Sequence, residues 1–509
     1  MMRGMRSASV FARVVGVDVG GALNLVGSLI KYLSAAFLFP VCVAVGYGEP
    51  VWPFLVAGAA TAAFGLGLER VTEGKERIGA REGYLVVSLL WLLVAVFGAL
   101  PYVLAEPQLS RPVDALFESM SGFSTTGSSV LTDIPAVSRS MMMWRQFTVW
   151  LGGVGIIVLF LAVLPRLRVG GRQALFKAEM PGPEMPLATT IRQTARRFVV
   201  LYVAITSLEV AILTVIGWTG IDPRMTFYNA VAHSFATIAT AGFSTEARSI
   251  EPFAPATQWV IVVFMLVAGT NFALLYAGIV GRRPALFARD EEFRTGLVLV
   301  ALASVIVLVD LVTADVLAGD TAVRDSVFNT VSMMTTTGFA SADFNEWTSL
   351  TALVLFGLAL LGASAGSTSG SIQLVRHIVI AKMLRREIDQ SVHPQVVSPL
   401  RVNGEPVDER ALRAIIVFVF LYLGVCAAGA FAVLLDSALR DVDLTAFESL
   451  AASITTLGGV GPGLGFAGPM GSFAPFTDLS TLVLTALMYL GRLEIVPVLV
   501  LFTASHWRA

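Results

Sequence analysis

Four short stretches rich in Ser, Thr and Gly, each set between long apolar runs, hold the residue types and spacing that could do chemistry. They read FESMSGFSTTG (117 to 127), AHSFATIATAG (232 to 242), FNTVSMMTTTG (328 to 338) and AASITTLGGVG (451 to 461) when aligned on one glycine. Their third position is Ser119, Ser234, Thr330 or Ser453. Each begins as a half-helix and ends as an extended return. Glycine takes positive φ without steric penalty, so carbonyl oxygens along such a return can all point one way. Thr125, Thr126 and Gly127, then Ala241 and Gly242, then Thr336, Thr337 and Gly338, then Val460 and Gly461 are the candidate oxygen-bearing residues. Four inward-facing sets of carbonyls can replace the water shell of a monovalent cation. A divalent-ion site would carry Asp or Glu at these positions and an anion path Lys or Arg, and the returns carry neither. In the fourth stretch Gly458 is an alternative aligned residue, and Ser453 at position three favours Gly461.

One such stretch alone reads as a helix-packing surface, where small residues let backbones approach. Four at equivalent places change that reading, and the chain around them explains why. Of the 509 residues 56% are hydrophobic and 14% charged, against roughly a quarter charged in soluble domains. A hydrocarbon core about 30 Å thick needs about 20 apolar residues in a helix. Apolar runs of about that length fall near 21 to 46, 51 to 68, 83 to 105, 141 to 165, 198 to 218, 256 to 281, 295 to 318, 348 to 384, 411 to 435 and 476 to 504, predicting ten spans. Arg3, Arg6 and Arg13 precede the first, which lacks a cleavage site and reads as a retained helix.

With a cytoplasmic N-terminus, segments 69 to 82, 166 to 197, 282 to 294 and 376 to 413 fall on the cytoplasmic side. They hold 22 of the 35 Lys and Arg residues, among them Arg166, Arg168, Arg172 and Lys177. The opposite segments hold six, an asymmetry that sets orientation with both termini cytoplasmic. The four Ser/Thr/Gly stretches then all enter from outside. The expected fold is an all-α polytopic membrane protein: two N-terminal helices (1 to 82), then four parallel helix, pore loop, helix repeats at 83 to 197, 198 to 294, 295 to 410 and 411 to 509 around a central pore. Non-helical backbone within a bilayer must be buried in protein or line a watery path, and four segments meeting on one axis satisfy that condition.

Two further features lie past the stretches. GASAGSTSGS (362 to 371) interrupts a long helix in the third repeat, either as a kink or by unwinding toward the axis. Arg492 stands about halfway along the last apolar run, where a charge costs at least about 2.5 to 3.5 kcal/mol, so it faces the interior with a partner, or with carbonyls at a helix break. Glu494, two residues on, lies on another helix face and is not expected to pair with it. His233 reads as a satisfied core histidine. Glu118 and Asp114 border the first half-helix as charges at the mouth. Cys42 and Cys426 sit in apolar runs without metal spacing and read as small hydrophobes.

The chain resembles the membrane subunit of Trk-type potassium transporters, in the Trk/Ktr/HKT superfamily. Beyond the four stretches, the resemblance rests on WLGGVGIIVLFLAVLP (150 to 165), EMPGPEMPL (179 to 187), TTTGFASADF (335 to 344), GASAGSTSGSIQLVRHIVIAK (362 to 382), TTLGGVGPGLG (455 to 465) and GRLEIVPVLVLF (491 to 502), and covers nearly the whole length. It implies a pseudo-fourfold pore with one filter glycine per repeat, here Gly127, Gly242, Gly338 and Gly461. It implies K+ as the bound and transported ion, since a Ser at the first glycine accompanies sodium transport and this chain has Gly127. It also implies an intramembrane gating loop comprising Gly362, Ser364, Gly366, Ser367 and Gly370, with Arg492 beside it. A homodimer in the cytoplasmic (inner) membrane, controlled by a cytosolic TrkA-like nucleotide-binding regulator, follows from the resemblance alone.

The chain's glycine-rich stretches lie among apolar helices without the strand and basic context of a phosphate site. Near-neutral charge points to no nucleic acid. No enzyme is expected either, because GSTSGS has only His377 nearby and no orienting partner. A Ktr-type or sodium-conducting relative and a cation-coupled symporter are the competing readings, the latter resting on Arg492 and Glu494 as mid-membrane ionisable groups.

Overall fold

The structure is a computed structural model that describes residues 17–72, 79–162, 187–395 and 399–508. Arg3, Arg6 and Arg13, the basic run Arg166, Arg168, Arg172 and Lys177, and all but the last residue of EMPGPEMPL lie outside the described residues.

Helices α1 (Val19–Leu33), α2 (Leu38–Tyr47) and α3 (Trp52–Val71) form the N-terminal part, with a 3-10 turn joining the first two. Gly27 and Gly65 let α1 and α3 cross at backbone contact, a Cβ on Gly65 falling 2.6 Å from the Gly27 carbonyl oxygen. Dispersion along such a small-residue seam is what associates helices in lipid, where no hydrophobic gain is available. Lys31 and Glu69 close the same crossing at 2.7 Å.

From there the chain alternates long helices with short ones. Helices α4 (Ala80–Gly98) and α5 (Leu100–Ala105) lead to the short α6 (Pro112–Phe123) and on to α7 (Arg139–Ala162). Helix α8 (Leu187–Trp218) leads to the short α9 (Phe227–Ile238), then α10 (Pro255–Ala268), α11 (Phe272–Leu275) with a π turn at Tyr276–Val280, and α12 (Ala285–Arg289). Helix α13 (Glu291–Thr313) leads to the short α14 (Gly319–Met334), then α15 (Ser349–Leu361) and α16 (Leu374–Val392). After a two-residue β-ladder, Arg401–Val402 with Glu405–Pro406, come α17 (Glu409–Leu439), the short α18 (Ala446–Gly458), α19 (Asp478–Arg492), α20 (Val496–Leu501) and α21 (Ala504–Trp507). The all-helical polytopic architecture expected from hydropathy holds. Among the described residues six helices are long and apolar enough to cross a membrane, or seven if the bent pair at 255–280 is one span.

The difference from ten continuous spans has a physical cause. The runs beginning near 255, 348 and 476 each break partway. The first turns by 102° between Pro255–Ala268 and Phe272–Val280. The second stops at Gly362, whose φ of 71° ends α15. The third stops after Arg492, where Glu494 and Ile495 take φ of 58° and 59°. Hydropathy averages over such breaks because their residues are small or apolar.

Helix starts are fixed locally. Pro112 and Pro255 occupy first turns, where a missing N–H costs nothing. Thr226, Thr348, Thr445 and Thr477 cap α9, α15, α18 and α19 through their side chains, and Thr445 forms a reciprocal box with Glu448.

Candidate functional site

The four short helices end in the same backbone geometry. In each, the residue two before the aligned glycine has left-handed φ: Thr125 at 54°, Thr240 at 51°, Thr336 at 55° and Gly459 at 66°. The glycines repeat it, Gly127 at 87°, Gly242 at 67°, Gly338 at 79° and Gly461 at 110°. The amide between them turns back onto its own helix every time: Thr126 to the Ser121 carbonyl at 2.9 Å, Ala241 to Ala236 at 2.9 Å, Thr337 to Ser332 at 2.9 Å and Val460 to Thr455 at 2.8 Å. Alternate left-handed residues aim successive carbonyls in one direction. Gly461, with Gly459 two before it, therefore occupies the backbone position held by the other three glycines, and Gly458 is the last residue of α18.

The four returns close on one another. A Cβ on Gly127 would overlap the Ala241 carbonyl oxygen, one on Gly242 that of Thr337, and one on Gly338 that of Val460. One on Gly461 would lie 2.8 Å from the Thr126 carbonyl oxygen. Each glycine thus abuts the carbonyl preceding the next glycine, in cyclic order. Thr125, Thr126, Thr336 and Thr337 are buried around the ring. The C-terminal ends of α6, α9, α14 and α18 arrive at this ring, and helix C-termini carry partial negative charge.

The position-three hydroxyls divide in two. Ser119 donates to the Ala95 carbonyl at 2.7 Å and Ser453 to that of Cys426 at 2.7 Å, tying short helices to the long ones before them. Ser234 and Thr330 have hydroxyls without a hydrogen-bond partner among the described residues.

On the side where the short helices end, residues 362–373 leave the helical path and lie under the ring. Ser369 donates its hydroxyl to the Thr335 carbonyl at 2.9 Å, and the Gly370 amide donates to the Thr336 hydroxyl at 2.9 Å. Gly370 touches backbone, since a Cβ there would overlap the Gly458 carbonyl. The break between α10 and α11 grips the same segment. The Ser364 amide donates to Gly269, the Phe272 amide to Gly366, and the Asn271 side chain to Ala365 at 2.8 Å. Glu292 accepts from the amides of Ala365 and Val375 at 2.9 and 3.0 Å. Arg492 reaches in from α19, donating to the Thr368 carbonyl at 3.3 Å and the Gly152 carbonyl at 2.8 Å. Between ring and segment remains a cavity of about 20 Å³, lined by Ser124, Ser369, Gly370, Gly459, Arg492 and Glu494.

A second buried cation backs this layer. Arg376, at the start of α16, pairs with Glu494 at 3.2 Å, donates to the Ile372 carbonyl at 2.7 Å and stacks on the Phe418 ring at 4.1 Å. Its partner sits in strained backbone. Ile495, fully buried with φ 59° and ψ −56°, centres a tight turn closed by the Val496 amide on the Glu494 carbonyl. A β-branched residue at positive φ is a steric outlier held in place by its surroundings.

Several expectations shift. Gly362, Ser364, Gly366, Ser367 and Gly370 do lie in one non-helical segment with Arg492 beside it, and Arg492 is met by carbonyls rather than by Glu494. Arg376 is not a surface charge of the cytoplasmic segment but 1% exposed. Glu118 is no mouth charge either. It is fully buried, held at 2.5 Å by Arg145 and accepting from Ser129 and the Val130 amide. His233 is satisfied, between the Asn229 carbonyl at 2.8 Å and the Ser244 hydroxyl at 3.0 Å. Asp114 lies in the first turn of α6, 3.5 Å from Arg111.

Sequence reasoning missed Thr368, Ser369, Asn271, Glu292, Arg145 and the Arg376 pair. Arg145 and Glu292 carried a legible signal, each being a charge within or at the end of an apolar run.

A family model described as cation transport protein, TrkH, matches residues 53–508. The chain is 34% identical over 441 residues to the Trk system potassium uptake protein TrkH of Escherichia coli strain K12, covering 85% of this chain and 87% of that protein. It is 32% identical over 506 residues to the protein of the same description from Halomonas elongata, covering 96% and 98%. The crystal structure of the potassium transporter TrkH from Vibrio parahaemolyticus superposes with a TM-score of 0.86 at 29% identity, covering 97% of this chain and all of that one.

Proposed function

The chain belongs to the TrkH family of cation transport proteins, and from that premise we propose that it takes up potassium across the cytoplasmic membrane through the glycine ring. The observation that carries this reading is the cyclic abutment of Gly127, Gly242, Gly338 and Gly461 on the carbonyls of Ala241, Thr337, Val460 and Thr126. Uncharged oxygens from four returns substitute for a monovalent ion's hydration shell, and the four helix C-termini stabilise the desolvated charge. Each repeat contributes one quarter of this filter.

The segment 362–371 and Arg492 form the gate. The guanidinium supplies a fixed positive charge under the filter, and the segment fills the space an ion would cross. Opening requires the segment to leave Thr335, Thr336 and Gly269 together, so the gate moves as a unit. A cytosolic nucleotide-binding subunit that pulls on α16 would act on this unit directly, because α16 continues from it. The family relationship supports that partner and a homodimer.

The test uses the purified chain alone in liposomes, following potassium, rubidium and sodium flux with and without imposed proton or sodium gradients. Potassium and rubidium entering down their own gradients, with sodium excluded, is the expected result. Sodium entering as readily as potassium overturns the filter. Potassium movement that depends on a proton or sodium gradient replaces the channel with a symporter.

A further inference from the structure

The position nine residues before each filter glycine behaves alike in three quarters and differently in the fourth. It is Glu118, His233, Asn329 or Ala452, all fully buried. Glu118 accepts from the Ser129 hydroxyl at 3.0 Å and the Val130 amide at 3.1 Å, two and three residues past Gly127. His233 meets the Ser244 hydroxyl at 3.0 Å, two past Gly242. Its Nδ1 faces the Asn229 carbonyl, which can only accept, so the neutral ring carries its proton there, and Nε2 shares the single proton of the Ser244 hydroxyl with the Ser249 carbonyl, also at 3.0 Å. Asn329 donates to the Ser341 hydroxyl at 3.1 Å, three past Gly338, and Asp325 accepts from that same hydroxyl at 2.9 Å. In the fourth quarter there is no polar side chain to reach out. Gly463, two past Gly461, instead donates its amide to the Ala467 carbonyl at 2.7 Å.

We propose that Glu118, His233 and Asn329 are positioning residues that fix the outgoing strand of their filter quarter and so set ion selectivity, the fourth quarter being fixed by the bond of the Gly463 amide to the Ala467 carbonyl instead. The inference rests on the filter reading above. Its physical basis is spacing. Carbonyls discriminate between ions of different radius only if the ring resists collapse onto the smaller one, and a strand held on one side by its neighbours needs a tie on the other. A side chain reaching from helix to strand is such a tie, and in the third quarter Asp325 and Ser332, which donates to the Phe339 carbonyl at 2.6 Å, stand beside Asn329. Three different chemistries at one position, a carboxylate, an imidazole and an amide, each bonded to a hydroxyl two or three residues past its glycine, are what a shared positional role produces. Arg145 extends the first tie into the second quarter, holding Glu118 and donating to the Ser244 carbonyl at 3.2 Å.

The third quarter offers the cleanest test, because Asn329 and Ser341 are both neutral and Asp325, which also accepts from Ser341, keeps its Arg324 partner when either is removed. The full chain carrying Asn329→Ala, Ser341→Ala or both is reconstituted in liposomes, and the sodium-to-potassium permeability ratio is measured beside Gly127→Ser. Each single variant is expected to keep potassium influx and to raise the ratio by about threefold, the worth of one buried neutral hydrogen bond. The double variant is expected to match Ser341→Ala, which already removes the Asn329 bond together with the hydroxyl's bond to Asp325. Ratios equal to wild type in both singles while Gly127→Ser raises it overturn the tie and leave the filter standing. A double variant whose effect is the product of the singles also overturns it. If Gly127→Ser itself leaves the ratio unmoved, the filter reading falls and the tie with it. Should Asn329→Ala fail to fold, Ser341→Ala alone decides, because it cuts the bond from the strand side.

Discussion

Around the glycine ring the four segments repeat one another bond for bond, while in the layer just beneath it no two agree. Helix α7 runs straight past Gly152 and lends it a carbonyl to Arg492. The partner helix of the second quarter bends by 102°, that of the third unwinds over 362–373, and that of the fourth stops in a strained turn at Ile495. The ring is made from backbone, and backbone is the same whatever the side chains. The layer is made from particular side chains, Asn271, Thr368, Arg376, Arg492 and Glu494, each present once. If the ring is the proposed filter, selection among ions of one charge gains from equivalence, because every quarter must present oxygens at one distance. If the layer is the proposed gate, closure does not, because one segment on the axis suffices to block it.

That contrast can be broken from either side. The largest effect is expected in the asymmetric layer. Arg376→Met leaves Glu494 buried without its cation and should destabilise the protein by about 3–5 kcal/mol, read as a lowered melting temperature in detergent, with Arg376→Met/Glu494→Gln recovering most of it. A double variant as unstable as the sum of the singles would mean that the two residues act separately. In the ring, Gly338→Ala puts a Cβ into the Val460 carbonyl and forces a left-handed alanine. Potassium influx should fall by about a hundredfold, the left-handed backbone alone accounting for about 1–2 kcal/mol of it. Retained influx would mean that the third quarter does not contact the ion. Arg492→Ala should raise basal flux without any regulator by about tenfold, a barrier change near 1.4 kcal/mol. Unchanged basal flux and unchanged gating would take Arg492 out of the gate.

How much of this was legible in the sequence follows the same division. The ring was readable because it recurs: four glycines with Ser or Thr eight residues before them, between apolar runs, form a pattern no single stretch would reveal. The break at Gly362 was readable from its glycines. The break at Gly269 was not, since Thr270 and Asn271 do not lower an averaged hydropathy enough to show, and the one at Glu494 was offered only as one of two ways to satisfy Arg492. Buried charges proved least legible of all. Glu118 sits in the segment between two apolar runs and Arg376 near the end of one, where a sequence cannot distinguish a solvated side chain from one that folds back into the protein. Their partners, Arg145 and Glu494, are 27 and 118 residues away.

A last comparison concerns the outer rim, where equivalence returns through unlike residues. A carboxylate from elsewhere in the chain meets the start of the second long helix in every quarter. Asp222 accepts from the Ala254 amide and the Thr257 hydroxyl, Asp310 from Thr348 and Thr351, and Asp436 from Thr477 and Ser480. In the first quarter the acceptor is Glu49, just after α2, taking the amides of Arg139 and Ser140 at 2.8 and 2.7 Å. The N-terminal helices thus supply the first quarter with what the third and fourth take from their own leading helix and the second from just past the end of its own. Asp222→Asn, Asp436→Asn and Glu49→Gln should each cost about 1 kcal/mol, the ordinary worth of a helix N-cap, and lower the melting temperature by similar small amounts. If Glu49→Gln is silent while the two aspartate variants are not, the N-terminal helices are an appendage to the first quarter. Equal losses make them part of it, and explain why a chain with four short helices meeting at one ring carries a helical unit ahead of the first.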